Sequence, residues 1–349
     1  MNSKVKRVVE RLMKYVSIPS VSGEEEEMAE TLARDLESVG MEVHVDDLGN
    51  VIARRGEDPV VCLTSHMDTV PAGDMKEAFE PRLEDGKLFG RGSCDAKANL
   101  AVYVEVAALT DESLEVIGVV REETDSAGIR RVLEEGEMKA DQVINGEPTS
   151  LRPVIGHKSR VEVEVRLEGE EAHASTVVDD VVREFCRLLH RLEGLFEGRE
   201  DDLGHPTFAP TRVVAEGPAS NVTPGELEAL LDMRLNTRVD PDEVERFLSR
   251  WCDRVEVRAG APPFVLEGNE PVVKALREAL ERRGLNADPV TWPASTDAGY
   301  IRHLGGKDVV VFGPGSIDVA HTDEEFVPVD ELAIAVDVLV DVVRILSNS

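Results

Sequence analysis

Val60-Val61-Cys62-Leu63-Thr64-Ser65-His66-Met67-Asp68 is the stretch on which the reading of this chain turns. Its first five residues form a short apolar run with the length and β-branching of a strand buried on both faces. A polar His-x-Asp follows at what should be the strand's C-terminal end. Two more runs, Leu114–Val120 and Gln142–Asn145, have the same character, and a helical pattern from Ala96 to Leu109 lies between the first two. Helical patterns near 3–16 and 24–39 precede them. The second of these is introduced by Ser22-Gly23 and four glutamates that suit a helix N-terminus. This alternation predicts an α/β domain with a mostly parallel central sheet.

From about residue 158 the pattern changes. Val161–Leu167, Thr207–Glu216, Glu226–Asn236 and Arg254–Ala259 read as strands, and Val177–Leu195 and Asp240–Trp251 as helices. The order β-α-β-β-α-β predicts a ferredoxin-like α+β unit. After about 269 the first pattern returns, with a helix at Pro271–Arg283, a strand at Asp308–Phe312 and a last helix at Asp330–Leu346. The expected organisation is a discontinuous domain, 1–157 with 269–349, interrupted by a unit at 158–268.

A length of 349 residues suits two domains, and an apolar share of 42% is ordinary for a globular protein. No run approaches the roughly 20 apolar residues of a membrane helix. Met1 to Tyr15 reads as an amphipathic helix rather than a signal peptide. Cys62, Cys94, Cys186 and Cys252 are scattered, which argues against a disulfide framework or a cysteine zinc site and makes the cytoplasm the expected location. The formal charge of −31 excludes nucleic acid and anionic membranes as partners. Because the acids are spread along the chain, a solvated surface rich in ion pairs explains that charge better than a site for a basic ligand.

Five pieces carry chemistry. His66 needs its second ring nitrogen hydrogen-bonded if it is to bind a metal, and Asp68, two residues on, can supply that bond. Asp95, in Gly90-Arg91-Gly92-Ser93-Cys94-Asp95-Ala96-Lys97, falls at a helix start, where a plain N-cap is the simpler explanation. Glu122-Glu123 follows a strand; two buried carboxylates side by side repel unless a dication lies near. Glu147, in Gly146-Glu147-Pro148-Thr149, and His321, in Ala320-His321-Thr322-Asp323-Glu324-Glu325, complete the set. Imidazole and carboxylate donors without cysteine suit a hydrolytic Zn²⁺, Co²⁺ or Mn²⁺ pair.

In order along the chain stand His66-x-Asp68-x-x-Pro71, Gly90-Arg91-Gly92-x-x-Asp95-x-Lys97, Glu122-Glu123, Gly146-Glu147-Pro148-Thr149, Ala172-His173-Ala174-Ser175, and Gly313-Pro314-Gly315 with His321. Gly49-Asn50-Val51 and Ser295-Thr296-Asp297 extend the match. The chain resembles the zinc metallohydrolase family of acetylornithine deacetylase, succinyl-diaminopimelate desuccinylase, aminoacylase and glutamate carboxypeptidase. The resemblance implies two divalent metals, with Zn²⁺ the first choice. Asp95 would bridge them, His66 and Glu147 would complete one site, and Glu123 and His321 the other. Glu122 would act as general base on the bridging water and return the proton to the leaving amine, while Asp68 orients His66. The inserted unit would be a lid and dimerisation domain. His173 from a partner protomer would bind the oxyanion, Asn221 and Arg234 the substrate carboxylate, and Ser295 the substrate from its loop.

Three departures touch the acyl pocket and lid rather than the metal ligands. Ala98 and Ser159 stand where relatives have Gly, and Thr176-Val177-Val178-Asp179-Asp180 follows Ala174-Ser175 in place of the usual Pro and Asn-Ala. The leading expectation is hydrolysis of a small N-acyl amino acid. The alternatives are a dipeptidase or carboxypeptidase, a hydrolase releasing lysine or ornithine from a carrier protein, and, more remotely, an inactive metal-binding regulator.

Overall fold

Cys62–His66, Leu114–Val119 and Gln142–Asn145 are strands in the computed structural model, which describes residues 3–348. The first runs two residues later than its apolar run suggested. Ladder pairing carries it to His66, which stands opposite Val119, so His66 ends the strand rather than following it. One sheet holds, in order, Glu42–Val45, Val51–Arg55, Leu114–Val119, Cys62–His66, Gln142–Asn145, Asp308–Val311 and Val154–His157. Its central pairs are parallel and its flanking pairs antiparallel. The α/β class is as expected; the antiparallel flank is additional. Val51–Arg55 is short and preceded by a turn in which Asp46 Oδ1 accepts from the backbone N–H groups of Leu48, Gly49 and Asn50. Gly49, at φ +102°, is in a conformation that suits glycine.

The helix Lys97–Leu109 is buried from Lys97 to Ala107, which explains why its pattern carries almost no polar face. It packs against the helices Ser3–Val16 and Val329–Ser347. Its fully buried acid, Glu105, is met by Arg7 and by Arg11 (Nη1 to Oε2 3.4 Å), so basic residues of the first helix neutralise a core carboxylate. Replacing both arginines by alanine leaves that carboxylate unpaired. The expected cost is about 3 kcal/mol, the low end for a broken buried pair because the Arg7 head is half exposed. Urea unfolding checks this; adding Glu105→Leu to the variant with both arginines replaced should recover much of the loss. The expected helix over residues 1–2 lies outside the described residues.

The chain divides into two compact units. One comprises residues up to Gly156, Leu266–Val290 and those from Thr296 onward; the other comprises His157–Val265 and Thr291–Ser295. The brief return of 291–295 to the second unit has no counterpart in the sequence reading.

The second unit is an antiparallel sheet in the order Thr207–Val214, Glu226–Leu235, Ser159–Glu168, Arg254–Ala259, with helices Val181–Phe196 and Pro241–Leu248. Val161, Val163, Val165, Leu227, Leu231 and Met233 point to one face and pack on Phe185, Leu188 and Leu192. The opposite face is a lattice of ion pairs, among them Arg166–Glu226 at 2.8 Å, Arg258–Glu162 at 3.0 Å and Arg212–Glu164 at 3.1 Å. The first helix begins at Val181, not at Val177. Asp180 caps it by accepting from Arg183 N (2.9 Å), and Val178 is left 91% exposed, so the cap outweighs the apolar pattern before it. Among the described residues no helix is long and apolar enough to cross a membrane.

Candidate metal centre

Strand ends bring the site together. His66 terminates its strand, Glu147 lies two residues past Asn145, and Glu122 and Glu123 follow Val119 across the turn at Arg121, whose φ is +63°. These are carboxyl ends of parallel strands, where open α/β sheets gather ligands.

The His66 ring is 1% exposed, and its Nδ1 lies 2.9 Å from the Asp68 carbonyl oxygen. A carbonyl only accepts, so Nδ1 carries the proton and Nε2 is turned the other way. Nε2 lies 3.0 Å from Asp95 Oδ1 and 4.0 Å from Glu147 Oε2. The second oxygen of Asp95 lies 3.1 Å from His321 Nε2, which is itself 2.8 Å from Glu123 Oε1. Asp95 therefore stands in the middle, with one oxygen toward each imidazole. Ligand atoms of His66, Asp95 and Glu123 lie within 4.8 Å of one another. Asp95 is not a helix cap: Ala96 holds that position, and no side chain caps the helix.

Asp68 has a wider role than the one expected of it. The histidine is held by its backbone carbonyl, with Oδ1 3.4 Å from Nδ1. Its carboxylate accepts from Glu122 N (3.1 Å), Glu123 N (3.1 Å) and Ser22 Oγ (2.6 Å). Glu25 Oε1 accepts from Arg121 N (3.1 Å) and Asn50 Oδ1 from Val120 N (3.1 Å). Four consecutive backbone N–H groups, 120 to 123, are thus fixed by three side chains, and the Glu122-Glu123 pair is set rigidly. Sequence reasoning missed Glu25, which it took as a helix-terminus acid, and assigned no role to Asn50. A carboxylate far away in sequence leaves no local signature of this kind.

The electrostatics are crowded. Burial pushes the Glu147 carboxyl well above the usual range, with His66 opposing and Asp95 and Glu123 adding to the rise. Burial, then Asp297 and Glu147, raise Glu122; burial, then Asp95, raise Glu123. Burial would lower the His66 imidazole, but Asp68 and Asp95 hold it well above its ordinary value. Hydrogen bonds to Asp95 and Glu123 push His321 up to about 10. Asp297, 2% exposed and raised to about 7 by burial, adds another acid, and its Oδ1 has no hydrogen-bond partner. Converging carboxylates of this kind need cations. Glu147 Oε1 is buried without a partner, and imidazole and carboxylate donors without thiolate are the set a borderline dication takes. The residues present fit a divalent metal.

The other expected site residues lie in the second unit. His173 and Asn221 come together, with Nε2 3.0 Å from Asn221 Nδ2, and His173 Nδ1 lies 2.7 Å from Ser175 Oγ. Arg234 does not present a free fork: Nε and Nη2 donate to Asp232 at 2.7 and 3.2 Å. Ser295 Oγ is 3.5 Å from the Ala261 carbonyl.

A sequence model of peptidase family M20/M25/M40 matches residues 62–345. The chain is 29% identical over 343 residues to a putative [LysW]-lysine/[LysW]-ornithine hydrolase of Thermococcus kodakarensis, covering 98% of this chain and 92% of that one. It is 28% identical to an acetylornithine deacetylase of Vibrio atlanticus, covering 93% of each. Its fold matches a tripeptidase of Staphylococcus aureus with a TM-score of 0.82 at 22% identity, covering 99% of both chains.

Proposed function

The chain belongs to peptidase family M20/M25/M40 and has a metal-dependent hydrolase site, and from that premise we propose that it releases lysine or ornithine by hydrolysing the amide that links the amino acid to a carrier protein. Asp95 lying between two imidazoles is the observation that supports the hydrolytic part of this reading. The choice of a carrier-linked substrate over a free N-acyl amino acid rests on the Thermococcus relative, which this chain matches over nearly its whole length. The Vibrio relative supports the second reading, deacylation of a free acylated amino acid such as acetylornithine.

In this reading His66, Asp95, Glu123, Glu147 and His321 would hold two divalent ions, zinc being the first choice. Bound there, the metals would make water acidic enough to ionise near neutral pH and would polarise the scissile carbonyl. Glu122 accepts the proton of the attacking water and delivers it to the departing amine nitrogen. Asp68 keeps the Glu122 backbone in place while this happens. His173, from a partner protomer of a homodimer, donates to the oxyanion.

Asn221 and Arg234 take the substrate's α-carboxylate, for which Arg234 exchanges Asp232, and Ser295 donates from its loop. Arg234→Lys keeps the charge but loses the fork. We expect KM to rise about tenfold with kcat little changed, measured by steady-state kinetics. An unchanged KM removes Arg234 from the substrate site.

The reading is tested by assaying carrier-linked lysine and ornithine, acetylornithine, succinyl-diaminopimelate and dipeptides side by side with the zinc-reconstituted protein. Carrier-linked substrates should give the highest kcat/KM. A higher value for acetylornithine transfers the assignment to the second reading, and no hydrolysis of any of them defeats both.

A further inference from the structure

Arg91 and Glu325 form a fully buried ion pair, 2.6 Å from Nη1 to Oε2, with exposures of 2% and 0%. Burying two charges costs more than their attraction returns unless each makes further hydrogen bonds. Here each does, although Arg91 Nε has no partner, and the partners lie at Asp95, beside His321 and on the segment that follows His66. Glu325 Oε1 accepts from Cys94 N (3.0 Å) and Asp95 N (3.1 Å), the backbone of the central carboxylate. Arg91 Nη1 also lies 3.3 Å from the Thr322 carbonyl, one residue past His321, and Nη2 3.4 Å from the Ala72 carbonyl, four past Asp68. The meeting of 91 with 325 is itself fixed by a small antiparallel sheet. Phe326–Pro328 pairs with Lys87–Phe89, and Gly90 N donates to the Glu325 carbonyl at 3.2 Å. Gly92, at φ +81°, keeps the intervening turn tight, since a Cβ there would sit 2.7 Å from Thr69 Cγ2.

We propose that Arg91 and Glu325 are positioning residues that hold Asp95 at equal reach of His66 and His321 by tying the 66–72, 90–95 and 321–325 loops to one buried charge pair. Among the described residues' hydrogen bonds and ion pairs, neither side chain reaches a candidate ligand's donor atom; both act through backbone. The inference rests on the metal reading of the site.

The test is zinc affinity by chelator competition on the full-length apo protein, alongside its thermal unfolding. Glu325→Gln keeps the volume but turns a donor toward Arg91, and Arg91→Lys keeps the charge without the fork. The double variant Arg91→Met, Glu325→Met replaces the pair by apolar groups, a change that folded proteins tolerate well. The expected result is a 10- to 100-fold loss of zinc affinity in Glu325→Gln and in the double variant, with a smaller loss in Arg91→Lys. The double variant leaves the Cys94 and Asp95 N–H groups without that acceptor, so its apo melting temperature should fall by a few degrees while the protein stays folded. A role in folding alone would lower the melting temperature and leave the affinity of the folded protein intact. Zinc affinities within twofold of wild type in the folded double variant overturn the inference while leaving the hydrolase reading standing. A wild-type protein that binds no zinc overturns both.

Discussion

Glu122→Gln gives a folded, zinc-loaded protein whose kcat is ~10²- to 10⁴-fold lower, with KM changed little. The amide is isosteric and cannot take a proton, while the four backbone hydrogen bonds that set residues 120–123 do not involve the Glu122 side chain. Geometry therefore survives and only proton transfer is lost. Metal content measured beside the steady-state rates separates this from damage to the site. A variant that retains more than about a tenth of the wild-type kcat would show that the base is another group. Asp297, buried near Glu122 and with an unpartnered oxygen, is the first to examine.

Asp95→Ala should have the larger effect. Its two oxygens face both imidazoles, so its removal takes a donor from each half of the site. We expect metal content to fall well below one ion per chain and activity to drop by ~10⁴-fold or more, because residues that act as a unit are lost together. Stripping the wild type with chelator should reproduce that loss, and added Zn²⁺ should reverse it in the wild type but not in the variant. Asp95→Ala protein that still binds two ions and turns over would exclude a central role for this carboxylate.

The fold was legible where local patterns agree with burial. Gln142–Asn145, read as a short apolar run, and Arg254–Ala259 have the bounds expected of them, and the β-α-β-β-α-β order of the second unit is found with the sheet order that such a unit has. Boundaries failed where a polar group overrides the apolar period, as Asp180 does at the helix from Val181, and where a ladder extends a strand past its apolar run, as at His66. Within the site, His66, Glu122-Glu123 and Glu147 stand out because they follow strand-like runs, the metal role of Asp95 and His321 comes from the family resemblance, and the structure brings His66, Asp95, Glu123, Glu147 and His321 into one cluster. What holds them there was not legible. Glu25, Asn50, Arg91 and Glu325 act on backbone groups far away in sequence, and nothing in their neighbours announces that. Arg234 as a strand residue paired with one of the many acids is a reading the sequence allows, and two residues apart on one strand places Asp232 on the same face.

The charge of −31 reads differently in the two units. In the second unit it is distributed over a solvated ion-pair lattice, whose members each contribute little. In the first, several acids are buried and individually matched: Glu105 with Arg7 and Arg11, Glu115 with Arg54, Glu325 with Arg91. The acids around Asp95 have two imidazoles and no arginine or lysine partner among the described residues' ion pairs, which sets this cluster apart from those three.

Anomalous diffraction at the zinc edge from zinc-soaked crystals tests the site most directly. Two peaks about 3.5 Å apart, one on either side of the Asp95 carboxylate, are what a paired-ion hydrolase must show. An empty difference map among His66, Glu123, Glu147 and His321, with zinc bound elsewhere, would contradict it.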